Sequence, residues 1–278
     1  MVGELYIVAT PIGNMGDMAP RAVDVLHTVD LVAAEDTRRS SRLFRHFGIK
    51  TPMVSYHDHS DNKQINTIVD MLLRGNSVAL ISDAGTPLIS DPGYRLVKIV
   101  RDKGLKVVPI PGSCALIAAI SVSGLPSDRF IFEGFPPAKS SARVAKFESV
   151  AEEFRTLIFY EAPHRILETL TDMVNVFGGA RQVVIARELT KTYETFLSGP
   201  LMKVLAQVGE DKNQQKGEIV VVLEGVRSSE KDPDTAEARR VLAILLDEVP
   251  LKQAALLAAK ITGYQKNELY ALALSLKQ

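Results

Sequence analysis

The strongest constraint on this chain is an alternation that runs through its first 110 residues. Short, wholly apolar runs at 5–9, 31–34 and 78–81, and a further strand candidate at 106–110, are separated by stretches whose apolar residues fall at helical spacing. Ala22, Val25, Leu26 and Val29 form one such stretch, and Ile65, Ile68, Val69, Leu72 and Leu73 another. Gly48, Gly75 and Gly104 close the intervening segments, as glycine does where a helix ends in a left-handed residue. A helix is expected over about 40–47. Asp61 with Gln64 reads as a capping box, and Asp91-Pro92 as the cap and first residue of a further helix. Strands that are apolar throughout, not at every second residue, must be covered on both faces. The alternation therefore predicts a mostly parallel sheet between two helical layers.

Beyond residue 110 the pattern changes. A buried helix at 113–122 leads through Gly124-Leu125-Pro126 into strand candidates at 130–133, 156–161, 182–186 and 219–223. Between them Ile166, Leu167, Leu170, Val174 and Phe177 mark an amphipathic helix. Residues 227–234 are polar and proline-bearing, as in a linker. Val241, Leu242, Leu245 and Leu246, then apolar residues on either side of Gly263, suggest a small helical tail with a helix-turn-helix-like unit. The expected class is α/β: a mostly parallel N-terminal sheet over 1–112, a second mixed α/β domain over 113–226, and a helical tail over 235–278.

Composition removes several functions. Lys plus Arg and Asp plus Glu both number 33, so no global basic field attracts nucleic acid, and RNA binding has to come from local patches. The single cysteine, Cys114, excludes a disulfide framework and a thiolate zinc cluster, and fits a reducing compartment. The longest apolar stretch, 115–125, is too short to span a bilayer, and no basic segment precedes an N-terminal apolar run. A soluble cytoplasmic protein is expected. His57 and His59 lack a third ligand nearby and read as a polar loop, so no metal is expected.

Glycine and proline concentrate at predicted strand ends: TPIGNMG at 10–16, SDAGTPLISDPG at 82–93 and IPGS at 110–113. In an open parallel sheet such loops converge at the carboxyl edge and form a ligand crevice. None has the GxxxxGK[ST] or GxGxxG pattern, which disfavours a ligand held by phosphates and leaves open a nucleoside held by backbone groups and an aspartate. Arg38, Arg39, Arg42 and Arg45, with Lys139, Arg143, His164 and Arg165, form either a solvated charged face or an RNA-contacting rim. Glu161, His164, Lys191 and Glu218 are candidate proton acceptors that the sequence does not rank.

Five segments carry a resemblance: LYIVATPIGNMGD at 5–17, AEDTR at 34–38, SDAGTPLISDPG, FYEAPHR at 159–165 and ARELTK at 186–191. In order and spacing they resemble the ribosomal RNA small subunit methyltransferase I family, a branch of the tetrapyrrole methylase superfamily. The resemblance extends over nearly the whole chain, tail included. It implies S-adenosyl-L-methionine as cofactor and 2'-O-methylation of a cytidine in the decoding region of 16S rRNA, within the small ribosomal subunit. It also implies a homodimer and a cofactor cleft between two α/β domains. By the same resemblance the cofactor site comprises Pro11, Asp83, Gly85, Ser113, Cys114, Tyr160, Leu189 and Glu218; the basic cluster, in its RNA-contacting reading, gives a rim of Arg38, Arg39, Lys139, Arg143 and Arg165. The chain departs from the family at Ser113-Cys114, where proline and serine are usual, at Lys191-Thr-Tyr-Glu194, and at Pro20. Two other readings remain: a methyltransferase of the same fold acting on a tetrapyrrole or other small molecule, and a non-catalytic RNA-binding protein.

Overall fold

The computed structural model describes residues 3–57, 62–226 and 236–276. Asp61, His59 and the 227–234 linker lie outside them. Residues up to Gly225 form one compact unit and those from Val226 onward a second.

The first unit holds two sheets. Strands β1 (Glu4–Val8), β2 (Leu31–Ala34), β3 (Met53–Ser55), β4 (Val78–Ile81) and β5 (Lys106–Ile110) pair in the order β3-β2-β4-β1-β5, all parallel. Helices α1 (Pro20–Thr28), α2 (Thr37–Phe47), α3 (Asn62–Leu73) and α4 (Tyr94–Asp102) cover both faces. The wholly apolar strands explain this: Leu31, Ala33, Val78 and Leu80 pack with Ile65, Ile68, Leu72 and Leu96 on one face. Val32, Ala34, Ala79 and Ile81 pack with Leu26, Leu43 and Phe44 on the other.

Two helix starts differ from expectation. α2 begins three residues early because Asp36 caps it, its carboxylate accepting from the Arg38 amide at 2.9 Å. α4 begins at Tyr94 after Gly93, which lies at φ 138 where only glycine is relaxed, so Asp91 and Pro92 stay in the loop.

The second sheet is mixed. β6 (Phe130–Gly134), β7 (Thr156–Glu161), β8 (Gln182–Arg187), β9 (Thr195–Pro200) and β10 (Ile219–Leu223) run in the order β6-β7-β10-β8-β9. Here α5 (Ala115–Ser123), α6 (Ser140–Glu148), α7 (Ile166–Phe177) and α8 (Leu201–Glu210) divide between the faces. α6, α7 and α8 bury Phe147, Met173 and Val204 against Leu157, Phe159 and Val221. α5 packs Leu116, Ala119 and Ile120 against Ile158, Val184 and Val220, and Ile12 from the loop after β1 joins this cluster. That contact links the two sheets.

The second unit consists of α9 (Ala236–Glu248), α10 (Leu251–Thr262) and α11 (Lys266–Leu276), with Gly263 capping α10 at φ 78. Ala238, Leu242, Ala255, Ala258, Leu269 and Ala273 give it a core of its own. Among the described residues no helix is long and apolar enough to cross a membrane.

Candidate active site

The three glycine–proline loops meet because β4, β1 and β5 are neighbours that point the same way. Thr10 and Gly85 exchange backbone hydrogen bonds of 2.8 and 3.0 Å, and Thr86 Oγ1 donates to the Ser113 carbonyl at 2.9 Å. Strain is concentrated there. Leu88 (φ 74) and Ser90 (φ 60) hold left-handed conformations, each costing about 1–3 kcal/mol that the surrounding packing must offset.

The second sheet closes the crevice from the other side with Tyr160 on β7, the turn after β8 and the residues before β10. The resulting cavity is about 400 Å³, within the range of small-molecule sites. Ile12, Leu189, Ile219 and Val220 make an apolar floor. Five acidic residues (Glu35, Asp83, Asp91, Glu161 and Glu218) line it with one arginine, Arg39, although the Glu161 carboxylate is turned to Arg165 and that of Glu218 is paired with Lys191. Such a cavity favours a ligand with an apolar body and positive charge.

The turn after β8 is fastened by unusual backbone. Glu188 (φ 53) and Thr190 (φ 64) are left-handed. The Glu188 carboxylate accepts from Lys191 Nζ at 2.7 Å and from the Glu218 amide at 2.9 Å, and Lys191 also reaches Glu218 at 2.8 Å. A side chain at Gly217 would collide with Glu188, and one at Gly13 with Lys191 and the Leu189 carbonyl. Both glycines exist for close approach. Burial pushes the Glu188 carboxyl up, but the Lys191 ammonium and the Glu218 amide outweigh it and hold it below its ordinary value. Burial likewise opposes the Lys191 charge, and its two carboxylate partners raise it overall. The buried Arg187 at the end of β8 braces the same region, donating to Gln214 Oε1, the Lys216 and Tyr193 carbonyls and Thr195 Oγ1.

Tyr160 joins the two halves. Its hydroxyl accepts from the Leu116 amide at 3.1 Å, satisfying the start of α5, where Cys114 offers no side-chain cap. Burial, then the neighbouring Cys114, pushes the phenol well above its ordinary range, so it stays neutral.

Of the cofactor residues expected from the sequence, Asp83, Gly85, Cys114, Tyr160, Leu189 and Glu218 line the cavity, and Pro11 and Ser113 do not. Asp83 has structural partners already, accepting from the Asp36 amide at 3.0 Å and from Arg39 at 2.9 Å. Among the proton-acceptor candidates, Glu161 is buried and takes Arg165, Thr169 Oγ1 and the Ala162 amide. His164 is exposed and outside the cavity lining, and Lys191 is held cationic. Glu218 lines the cavity with its side chain 73% exposed.

The RNA rim needs correction. Arg38, Arg39 and Lys139 are exposed. Arg143 is not: its side chain is 1% exposed and its guanidinium is bound to Asp172 at 2.7 Å. Arg165 is mostly covered and paired to Glu161 at 2.6 Å. A guanidinium is buried when a carboxylate meets it; the partner of Arg143 is 29 residues away, while that of Arg165 is four residues before it. His57 lies in the loop after β3, and no group of three potential metal ligands occurs among the described residues. Phe135, Asp91 and Glu35 at the cavity were not anticipated as site residues. Only the glycine at 134 before Phe135 hinted at a bulge.

Residues 4–205 match the family Tetrapyrrole (Corrin/Porphyrin) Methylases, and residues 232–277 match the RsmI C-terminal HTH domain. The "Ribosomal RNA small subunit methyltransferase I" of Pseudomonas aeruginosa is 58% identical over 98% of this chain and 97% of that protein. The protein of the same name from Escherichia coli O157:H7 is 53% identical over 98% and 95%. Among solved structures, the methyltransferase CobJ superposes with TM-score 0.60 at 14% identity, over 81% of this chain and 95% of that one. The cobalt precorrin-4 methyltransferase CbiF gives 0.60 at 15%, over 80% and 94%, a likeness of fold alone. With the crevice, its loops and the appended helices all accounted for, the chain is a methyltransferase belonging to the ribosomal RNA small subunit methyltransferase I family of the tetrapyrrole methylases.

Proposed function

We propose that the protein transfers the methyl group of S-adenosylmethionine to the ribose 2'-oxygen of a cytidine in the decoding region of 16S rRNA, as a cytoplasmic homodimer acting on the small ribosomal subunit. The observation that carries this reading is the apolar-floored cavity lined by acidic residues, to which all five segments that carry the family resemblance contribute. The residues fit the cofactor. Ile12, Leu189 and Val220 suit an adenosine body, backbone groups around Gly85 suit its polar edges, and the carboxylates suit its ammonium and sulfonium charges. When bound, the cofactor supplies an electrophilic methyl on a positively charged sulfur.

The chain's own task is to orient the ribose hydroxyl for in-line attack and to accept its proton. Glu218 takes that proton in this reading, since its carboxylate is the one candidate that lines the cavity and is open to substrate. Arg38, Arg39 and Lys139 supply phosphate contacts. The names carried by relatives at 53–58% identity weigh against a small-molecule acceptor, because the tetrapyrrole enzymes stand at 14–15%. Nucleoside mass spectrometry of unmodified small subunits treated with protein and cofactor tests the assignment. A new 2'-O-methylcytidine is expected, and its absence, or methylation of a tetrapyrrole instead, overturns it.

A further inference from the structure

β6 pairs with β7 in parallel as far as Phe132 opposite Ile158, and then the register breaks, with Gly134 opposite Phe159. Gly134 sits at φ 67, a conformation that re-aims the residue after it. That residue is Phe135. Its ring lines the cavity, is 55% exposed, and meets Tyr160 edge-on with ring centroids 5.6 Å apart.

The segment behind the ring is clamped. The Pro136 carbonyl accepts from Arg165 at 3.5 Å, and the Pro137 and Ala138 carbonyls accept from Arg143 at 3.4 and 3.1 Å. Both arginines are themselves fixed by Glu161 and Asp172. Three consecutive carbonyls and two prolines thus hold an apolar ring out at the mouth of a cavity. A phenylalanine that had merely escaped burial would need no such bracing.

We infer that Phe135 is a stacking platform for the base of the nucleotide being methylated, with Arg143 and Arg165 acting as positioning residues for its loop. This role presupposes that the chain methylates RNA, as proposed above. A flat aromatic face accepts any base, and single-stranded nucleotides are recognised by splaying the base onto such a face. The cofactor has an adenine too. The floor at Ile12, Leu189 and Ile219 is almost wholly buried, however, whereas Phe135 is 55% exposed and so within reach of a polymer.

Steady-state methylation of small subunits by Phe135→Ala, Phe135→Leu and Phe135→Tyr tests the role, together with calorimetry of S-adenosylmethionine. Phe135→Ala should lower kcat/KM roughly ten- to a hundredfold, the size of a lost base–aromatic stack. Phe135→Leu should stay impaired, Phe135→Tyr should hold near wild type, and cofactor affinity should be unchanged. The chain contains no tryptophan, so Phe135→Trp adds a unique fluorophore. Its emission should be quenched by a cytidine-containing single-stranded RNA and not by S-adenosylmethionine alone. Full activity in Phe135→Ala, full rescue by leucine, or a cofactor affinity that falls by the same factor as activity overturns the platform. Quenching by RNA in a protein that methylates none refutes the proposed reaction, and with it the platform's role in methylation, leaving only RNA contact at this ring. Methylation without quenching refutes the platform alone.

Discussion

The guanidinium of Arg39 donates to the carboxylate of Asp83 at 2.9 Å, tying the first turn of α2 to the loop after β4. An arginine suited to phosphate and an aspartate suited to a cationic cofactor are therefore one unit. Asp83→Ala should weaken S-adenosylmethionine binding by about 1–3 kcal/mol, the cost of losing a charged hydrogen bond. Arg39→Ala should change it by less, since the Arg39 side chain is 73% exposed and its ion pair is worth about 1 kcal/mol. A double-mutant cycle by calorimetry checks the coupling. Unchanged affinity in Asp83→Ala would remove this residue from the cofactor site.

Arg38 differs from its neighbour. It is 90% exposed, pairs only locally with Asp36, and is absent from the cavity lining. Arg38→Ala should leave cofactor affinity unchanged, weaken RNA binding, and flatten the log–log salt dependence by roughly one unit. A salt slope equal to wild type would make Arg38 an ordinary surface charge.

Arg143 should behave as a structural residue. Removing it strands Asp172, which Ser140 Oγ would satisfy only in part. Arg143→Ala should cost about 3–5 kcal/mol of stability, whereas replacing both partners with apolar residues of similar volume should recover much of that loss. Urea denaturation of the single and double variants measures it, and a wild-type midpoint in Arg143→Ala would contradict the buried pair.

This arginine also shows where sequence reasoning stops. The parallel sheet was legible because β1, β2 and β4 are apolar at nearly every position, a signature of strands covered on both faces. β3 and β9 are half-exposed and carry no comparable apolar run, so they were not anticipated. α6 reads SSARVAKFE and passes for surface, because its buried arginine finds its carboxylate 29 residues away on α7. The three loops were legible as glycine–proline clusters. The latch beneath them was not: Gly13 and Gly217 look like turn residues until Lys191 and Glu188 fill the space beside them. Spacing along the chain records local geometry, and these contacts are between segments far apart in it.

That latch should titrate. Glu188 has a folded-state pKa below its ordinary value, so its contribution is present above the unfolded value near 4.3 and lost as pH falls through the depressed one. Lys191 is raised, so its contribution is present below about 10.4 and lost as pH rises through the higher folded value. The latch is therefore complete between these limits. Glu188→Gln should be less stable than wild type at pH 7, and the difference should close on acidification below about pH 4. A stability gap that is independent of pH would exclude the ionised carboxylate as its cause.

The helical tail offers the last test. It has its own apolar core in Leu242, Ala255, Leu269 and Ala273, and none of the cavity-lining residues belongs to it. Lys252, Lys260 and Lys266 are exposed on it. Leu245 and Leu246 pack against this core. A unit with a core of its own and exposed cations is suited to holding the substrate, not to the transfer step. Deleting residues 232–278 should therefore leave S-adenosylmethionine affinity and the thermal transition of the first unit intact. Methylation should fall mainly through a raised KM, as expected when binding shared by ground and transition states is lost. A truncated protein with wild-type KM rules out docking, and one that loses cofactor binding makes the tail part of the catalytic body.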